Sequence, residues 1–135
     1  MTMLRKYEEF EDETGRVVRY QRGASGGLVA AGAEVADDAR IGAWAWVDAG
    51  ARVEAGAWVG ERGWVQGGAV IGRDARLASH VHVARDAVVG AGARVGARAE
   101  IGAGARVEAG AVVPEDAVVP AGAVVTGRGR NALAA

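Results

Sequence analysis

Ile101-Gly102-Ala103-Gly104-Ala105-Arg106-Val107 is one turn of a pattern that runs through most of this chain. An aliphatic residue opens it, a small residue stands four places on, and the next aliphatic residue arrives at the sixth step. From Val29 the aliphatic position returns without a slip: Val35, Ile41, Val47, Val53, Val59, Val65, Ile71, Leu77, Val83, Val89, Val95, Ile101, Val107, Val113, Val119 and Val125, which makes 17 consecutive hexads. With the aliphatic position called i, position i+4 is almost always Ala, as at Ala33, Ala39, Ala45, Ala51 and Ala57, the departures being Gly63, Val81 and Gly129.

A period of six does not match the 3.6 residues of a helical turn, and Gly at this density would cost about 1 kcal/mol at each interior helical position. Short strands fit instead. Ala at i+4, an outward residue at i+5 and Val at the next i give the alternation of a strand, and Gly at i+3, as at Gly50, Gly68, Gly104 and Gly122, supplies a corner residue able to take positive φ. A unit this short cannot bury an apolar face alone. Successive units must wind into coils and stack, each strand pairing in parallel with its equivalent one coil away.

The stretches Ile101 to Val107 and Val119-Pro120-Ala121-Gly122-Ala123-Val124-Val125 resemble the repeat of the hexapeptide-repeat superfamily, over residues 27–130. That resemblance implies an all-β, single-stranded, left-handed parallel β-helix of about six triangular coils. Its left-handed crossovers run against the usual right-handed rule. Residues 1–26 lack the period; Lys6 to Phe10 and Arg16 to Tyr20 are expected to pair as a hairpin across residues 11–15 and to cap the first coil. Residues 131–135 form a tail too short for a capping helix, so the last coil is expected to be bare. The lead residues Lys6-Tyr7, Glu13-Thr14, Tyr20, Gly26-Gly27-Leu28-Val29 and Trp46-Val47 are also similar to the opening of small phage-associated and bacterial β-helical proteins of unassigned activity.

The composition removes several function classes. In 135 residues, 16 basic side chains stand against 17 acidic ones, so no net field recruits nucleic acid or an anionic membrane. The absence of Cys removes disulfides, thiolate nucleophiles and Cys-ligated zinc. The lead segment has no apolar signal region and no run is long enough to span a bilayer, so a cytoplasmic location is expected. Gly-x-Gly strings belong to the repeat and are no dinucleotide fingerprint.

Positions 18 apart should stack. Two corner columns are then nearly all Gly or Asp, whereas the third reads Trp44, Arg62, His80, Arg98, Asp116. Placing such residues at a positive-φ corner costs on the order of 1 kcal/mol each, least for His and Asp, and that cost suggests a use. The adjoining face carries Leu28, Trp46, Trp64, His82, Glu100 and Val118, with Trp46 expected to stack on Trp64. The candidate binding or interface residues are therefore Trp44, Trp46, Arg62, Trp64, His80, His82, Arg98 and Glu100. Trp58 falls between Arg40 and Arg76, suited to cation–π stacking.

Hexapeptide-repeat enzymes are commonly CoA-dependent acyltransferases with a His as general base, and Leu77-Ala78-Ser79-His80-Val81-His82-Val83 resembles a repeat of the acyltransferases of lipid A synthesis. In that family the catalytic His stands at i+2, whereas His80 is at i+3 and His82 at i+5. The extended acceptor-covering loop of the enzymes is missing as well, and the three-histidine zinc spacing of carbonic anhydrases of this fold is not met. The reading these features favour is a non-catalytic, self-associating structural or partner-binding module with no cofactor and no metal. It would form a trimer, as the resemblance implies, or associate end to end. The alternatives are a small trimeric acyltransferase using acetyl-CoA and His80 or His82, and a binder of a small anionic ligand such as a nucleotide.

Overall fold

A computed structural model describes residues 7–11, 15, 17–23, 25–127 and 133–134. Strand β1 (Tyr7–Glu11) pairs antiparallel with β2 (Val17–Arg22), and β2 pairs antiparallel with β3 (Leu28–Ala30), the first strand of the solenoid. The expected hairpin is therefore present and caps one side of the first coil; Lys6, Arg16 and residues 12–14 lie outside the described residues.

From β3 onward the chain makes one two- or three-residue strand per hexad, and every strand lies beside the one 18 residues away. Trp46↔Trp64, Trp64↔His82 and His82↔Glu100 are parallel register pairs on the first face. Arg52↔Val70 and Val70↔Val88 are pairs on the second, and Trp58↔Arg76 and Arg76↔Arg94 on the third. The sheets contain 8, 7 and 5 strands. That amounts to five complete coils and two sides of a sixth, slightly short of the expected six.

The shaft is filled by the two inward positions of each hexad. Val47, Val65, Ile71, Val83, Val89 and Ile101 are fully buried, and so are Ala45, Ala57, Ala69, Ala87 and Ala105 across from them. Each buried aliphatic side chain contributes about 1.5–3 kcal/mol relative to exposure. No polar or charged side chain is buried among the described residues, so nothing competes with this packing.

Coil-to-coil hydrogen bonds close the backbone: Arg52 N–H donates to Ala69 O at 2.9 Å and Trp58 N–H to Ala75 O at 2.9 Å. Within a corner, the amide of i+4 donates to the carbonyl of i+1, as Ala105 does to Gly102 O at 3.0 Å. A positive φ at i+3 turns that residue's own N–H back onto the preceding coil. Gly104 thus donates to Arg85 O at 2.9 Å and His80 to Glu61 O at 2.9 Å.

The last coil is not bare. Leu133–Ala134 forms a strand antiparallel to Val124–Val125, at the outer edge of the second sheet. Two residues suffice to occupy edge donors and acceptors, which is why a capping helix is not required. Among the described residues no helix is long and apolar enough to cross a membrane.

Candidate functional site

The third corner has the backbone that the sequence pattern suggested. Trp44, Arg62, His80, Arg98 and Asp116 have φ between 58° and 62°, and the column begins one coil earlier at Gly26 with φ of 89°. These corner amides are hydrogen-bonded just as the Gly corners are, so the fold does not demand the side chains found here. Three of those side chains are tied to neighbours. The Arg22 guanidinium lies over the Trp44 ring at 5.1 Å. Arg98 donates from Nε to Asp116 Oδ1 at 2.7 Å and from Nη2 to Oδ2 at 3.2 Å, with Glu115 at 3.7 Å. His80 and Arg62 are exposed and, among the described residues, have no hydrogen bond or ion pair to another side chain.

The Arg98 hydrogen bond, reinforced by its charge, holds the Asp116 carboxyl below the ordinary carboxylate range against a smaller opposing effect of desolvation. A depressed carboxylate adds stability that is present above its unfolded value and is lost as pH falls through the folded one. Solvent screens this pair, so its contribution is small. In Arg98→Gln the Asp116 carboxyl should titrate at an ordinary midpoint when followed by carbon NMR; an unmoved midpoint would refute this cause.

The adjoining face holds a more connected group. His82 and Trp64 stack with ring centroids 4.6 Å apart and planes 14° from parallel. His82 Nε2 lies 2.9 Å from Gln66 Oε1; in the tautomer that donates from Nε2 to this oxygen, the lone pair of the ring is on Nδ1. Trp64 is itself held, since its indole N–H donates to Asp48 Oδ2 at 2.8 Å. The other oxygen of Asp48 accepts the Tyr20 hydroxyl at 2.8 Å. Tyr20 belongs to the N-terminal hairpin and meets the Trp46 ring edge-on at 5.1 Å. A continuous chain of contacts thus runs from the hairpin through Asp48 and Trp64 to His82 and Gln66.

Trp46 and Trp64 are register neighbours as expected, but the flat partner of Trp64 is His82, while Trp46 makes a T-shaped contact with Tyr20. Glu100, exposed, follows His82 on the same face. Sequence reasoning missed Tyr20, Asp48 and Gln66. The signal available for the last two was their i+1 position, one step after an inward aliphatic residue, where the side chain leaves the strand beside the outward column.

Trp58 lies elsewhere, between Arg40 at 5.1 Å and Arg76 at 5.0 Å, as its neighbours in sequence register predicted. A shallow groove on the second face, lined by residues 33–36, 52–55 and Arg73, includes neither His residue, and its Arg52 and Glu34 are paired with each other at 2.9 Å. Among the described residues no three His, Cys, Asp or Glu gather as metal ligands.

No protein-family model matches the sequence, and no curated protein does. Solved structures do. A histidine-to-asparagine variant of perosamine N-acetyltransferase from Caulobacter crescentus, in complex with CoA and GDP-perosamine, is 34% identical with a TM-score of 0.73, over 74% of this chain and 48% of that one. The acetyltransferase domain of PglB from Neisseria gonorrhoeae is 30% identical with a TM-score of 0.73, over 74% and 49%. A hexapeptide transferase family protein from Anaplasma phagocytophilum, 22% identical with a TM-score of 0.57 over 73% and 72%, shares the fold. The chain thus spans about half the length of the first two.

These findings correct two expectations. A non-catalytic module was inferred from the lack of His at i+2 and of a long loop, but the structures 34% and 30% identical over 74% of the chain are acetyltransferases. A chain without cofactor was inferred likewise, but the first of those structures holds CoA. Both inferences leaned on one subfamily's placement of its base, which the fold does not impose. Its uninterrupted hexads, its stacked parallel strands and these likenesses make the chain an all-β parallel β-solenoid consistent with the hexapeptide-repeat superfamily of left-handed β-helices.

Proposed function

We propose that this β-helix is a CoA-dependent acetyltransferase acting on an amine acceptor, with His82 as its general base. The observation that carries the reading is the 34% identity, across 74% of the chain, to an N-acetyltransferase in complex with CoA. The local geometry suits it. His82 is held on two sides, by the Trp64 ring and by Gln66, and the tautomer that donates from Nε2 to Gln66 has Nδ1 to take the acceptor's proton.

In the reaction, His82 Nδ1 accepts the proton that the acceptor amine sheds as its nitrogen bonds to the thioester carbonyl carbon. The carbon–sulfur bond then breaks with its electron pair going to sulfur, and His82 returns the proton there, so that amide and free thiol leave. Acetyl-CoA is a substrate, and its phosphates need cations. Arg62, exposed at the next corner and without a carboxylate partner among the described residues, matches that chemistry. The exposed Trp64 (43%) and Val118 (59%) on the His82 face supply apolar surface for a neighbouring chain, in keeping with a trimer whose protomers share the site.

The test is release of free thiol from acetyl-CoA on mixing with amino-sugar and small amine acceptors. Turnover that requires both reactants is expected. Failure of every amine to raise thiol release above hydrolysis would overturn the proposal.

A further inference from the structure

The outward column of the third face reads Arg40, Trp58, Arg76, Arg94, Val112, in direct register from strand to strand. The guanidinium carbons of Arg40 and Arg76 lie over the Trp58 ring, 5.1 and 5.0 Å from its centroid. A stacked guanidinium is fixed in orientation while its N–H edge stays available, because the contact uses the plane. Arg76 and Arg94 are cations directly opposed on adjacent strands, an arrangement that destabilises a sheet. No Asp or Glu stands in this column, and among the described residues none of its three arginines has an ion pair. Other arginines of the solenoid are treated differently: Arg52 is neutralised by Glu34 at 2.9 Å and Arg98 by Asp116 at 2.7 Å.

We propose that this face is a binding site for a diphosphate. Arg76 and Arg94 stand in register on strands roughly 4.8 Å apart, a spacing from which two guanidinium forks can reach two linked oxyanions, and bidentate N–H to oxygen contacts of this type are the strong ones. Arg76 and Arg94 form the primary pair, with Arg40 across Trp58 as a flanking cation. Coenzyme A and nucleotide-activated sugars both carry this group. The identification of the ligand as one of the two reactants rests on the acetyltransferase reading; the oxyanion site itself does not.

Inorganic pyrophosphate is the probe, titrated calorimetrically into the full chain at low salt, with the Trp58 indole N–H followed by NMR. Pyrophosphate should bind at least about tenfold more tightly than orthophosphate and shift the Trp58 signal. Arg94→Gln and Arg76→Gln should each weaken it by about tenfold or more. Arg52→Gln, which alters an already neutralised arginine, should leave it unchanged. Equal binding of the two anions, or unaltered pyrophosphate affinity in Arg94→Gln, overturns the site. His82→Ala should keep full pyrophosphate binding, so the loss of transfer and the loss of this site are separate outcomes. CoA or GDP that displaces pyrophosphate from wild type, with binding weakened in Arg94→Gln, identifies the reactant; if neither displaces it, the assignment to a reactant falls.

Discussion

Replacing His82 with alanine should reduce acetyl transfer by about 10²–10⁴-fold, the usual worth of a positioned general base, with most of the loss in kcat. The side chain stands on the outer surface of its strand and is half-buried, so the shaft is untouched. What is lost structurally is the stack on Trp64 and one hydrogen bond to Gln66, together on the order of 1–2 kcal/mol. Circular dichroism should therefore match wild type. His80→Ala is the matched control, because His80 is exposed and, among the described residues, has no side-chain partner to orient it; it should retain most activity. Full transfer by His82→Ala would remove His82 from the mechanism, and loss in His80→Ala alone would move the base to the corner.

The largest effect on stability is expected from a position that carries no side chain. A Cβ at Gly102 would meet the backbone of the next coil, at 2.5 Å from Ala121 N and 2.8 Å from both Pro120 C and Val119 O. Backbone cannot swing aside as a side chain can. Gly102→Val should therefore push two coils apart and cost about 2–3 kcal/mol or more, read as a fall in the urea midpoint. Gly104, two residues on, makes the instructive contrast. Its φ is 68°, and a Cβ there meets nothing within 4 Å. Gly104→Ala should cost only about 1 kcal/mol, from backbone strain alone. If the two variants were equally stable, the close approach of coils at Gly102 would not be real.

That contrast also marks how far the sequence could be read. The i and i+4 positions were legible because burial leaves a chemical signature, as in Val83 and Ala87, and the positive-φ corners were legible because Gly and Asp fill most of them. The cation–π stack at Trp58 followed from register alone. Gly102 was not singled out, since a glycine demanded by a neighbouring backbone looks the same in sequence as one demanded by φ. The chain of contacts from Tyr20 to His82 was hidden for a different reason. Tyr20 lies outside the repeat, and nothing in a six-residue period says where a hairpin's hydroxyl will land. The expectation of a non-catalytic module, which the likeness to acetyltransferases overturns, weighed the absence of His at i+2 as the absence of a base, although other outward positions can present an imidazole.

The eighteen-residue spacing of register partners makes the molecule behave like a screw thread. Inserting a whole revolution anywhere in the solenoid would lengthen it and leave every column aligned. Inserting a single hexad would turn everything beyond it by one third of a revolution. Placed between Leu77 and Arg98, it would carry Arg98 onto a different edge from Trp44 and Arg62, with the interior filled as before. Natural or engineered length changes in this protein are therefore safe for the chemistry only in whole revolutions, whatever their effect on folding.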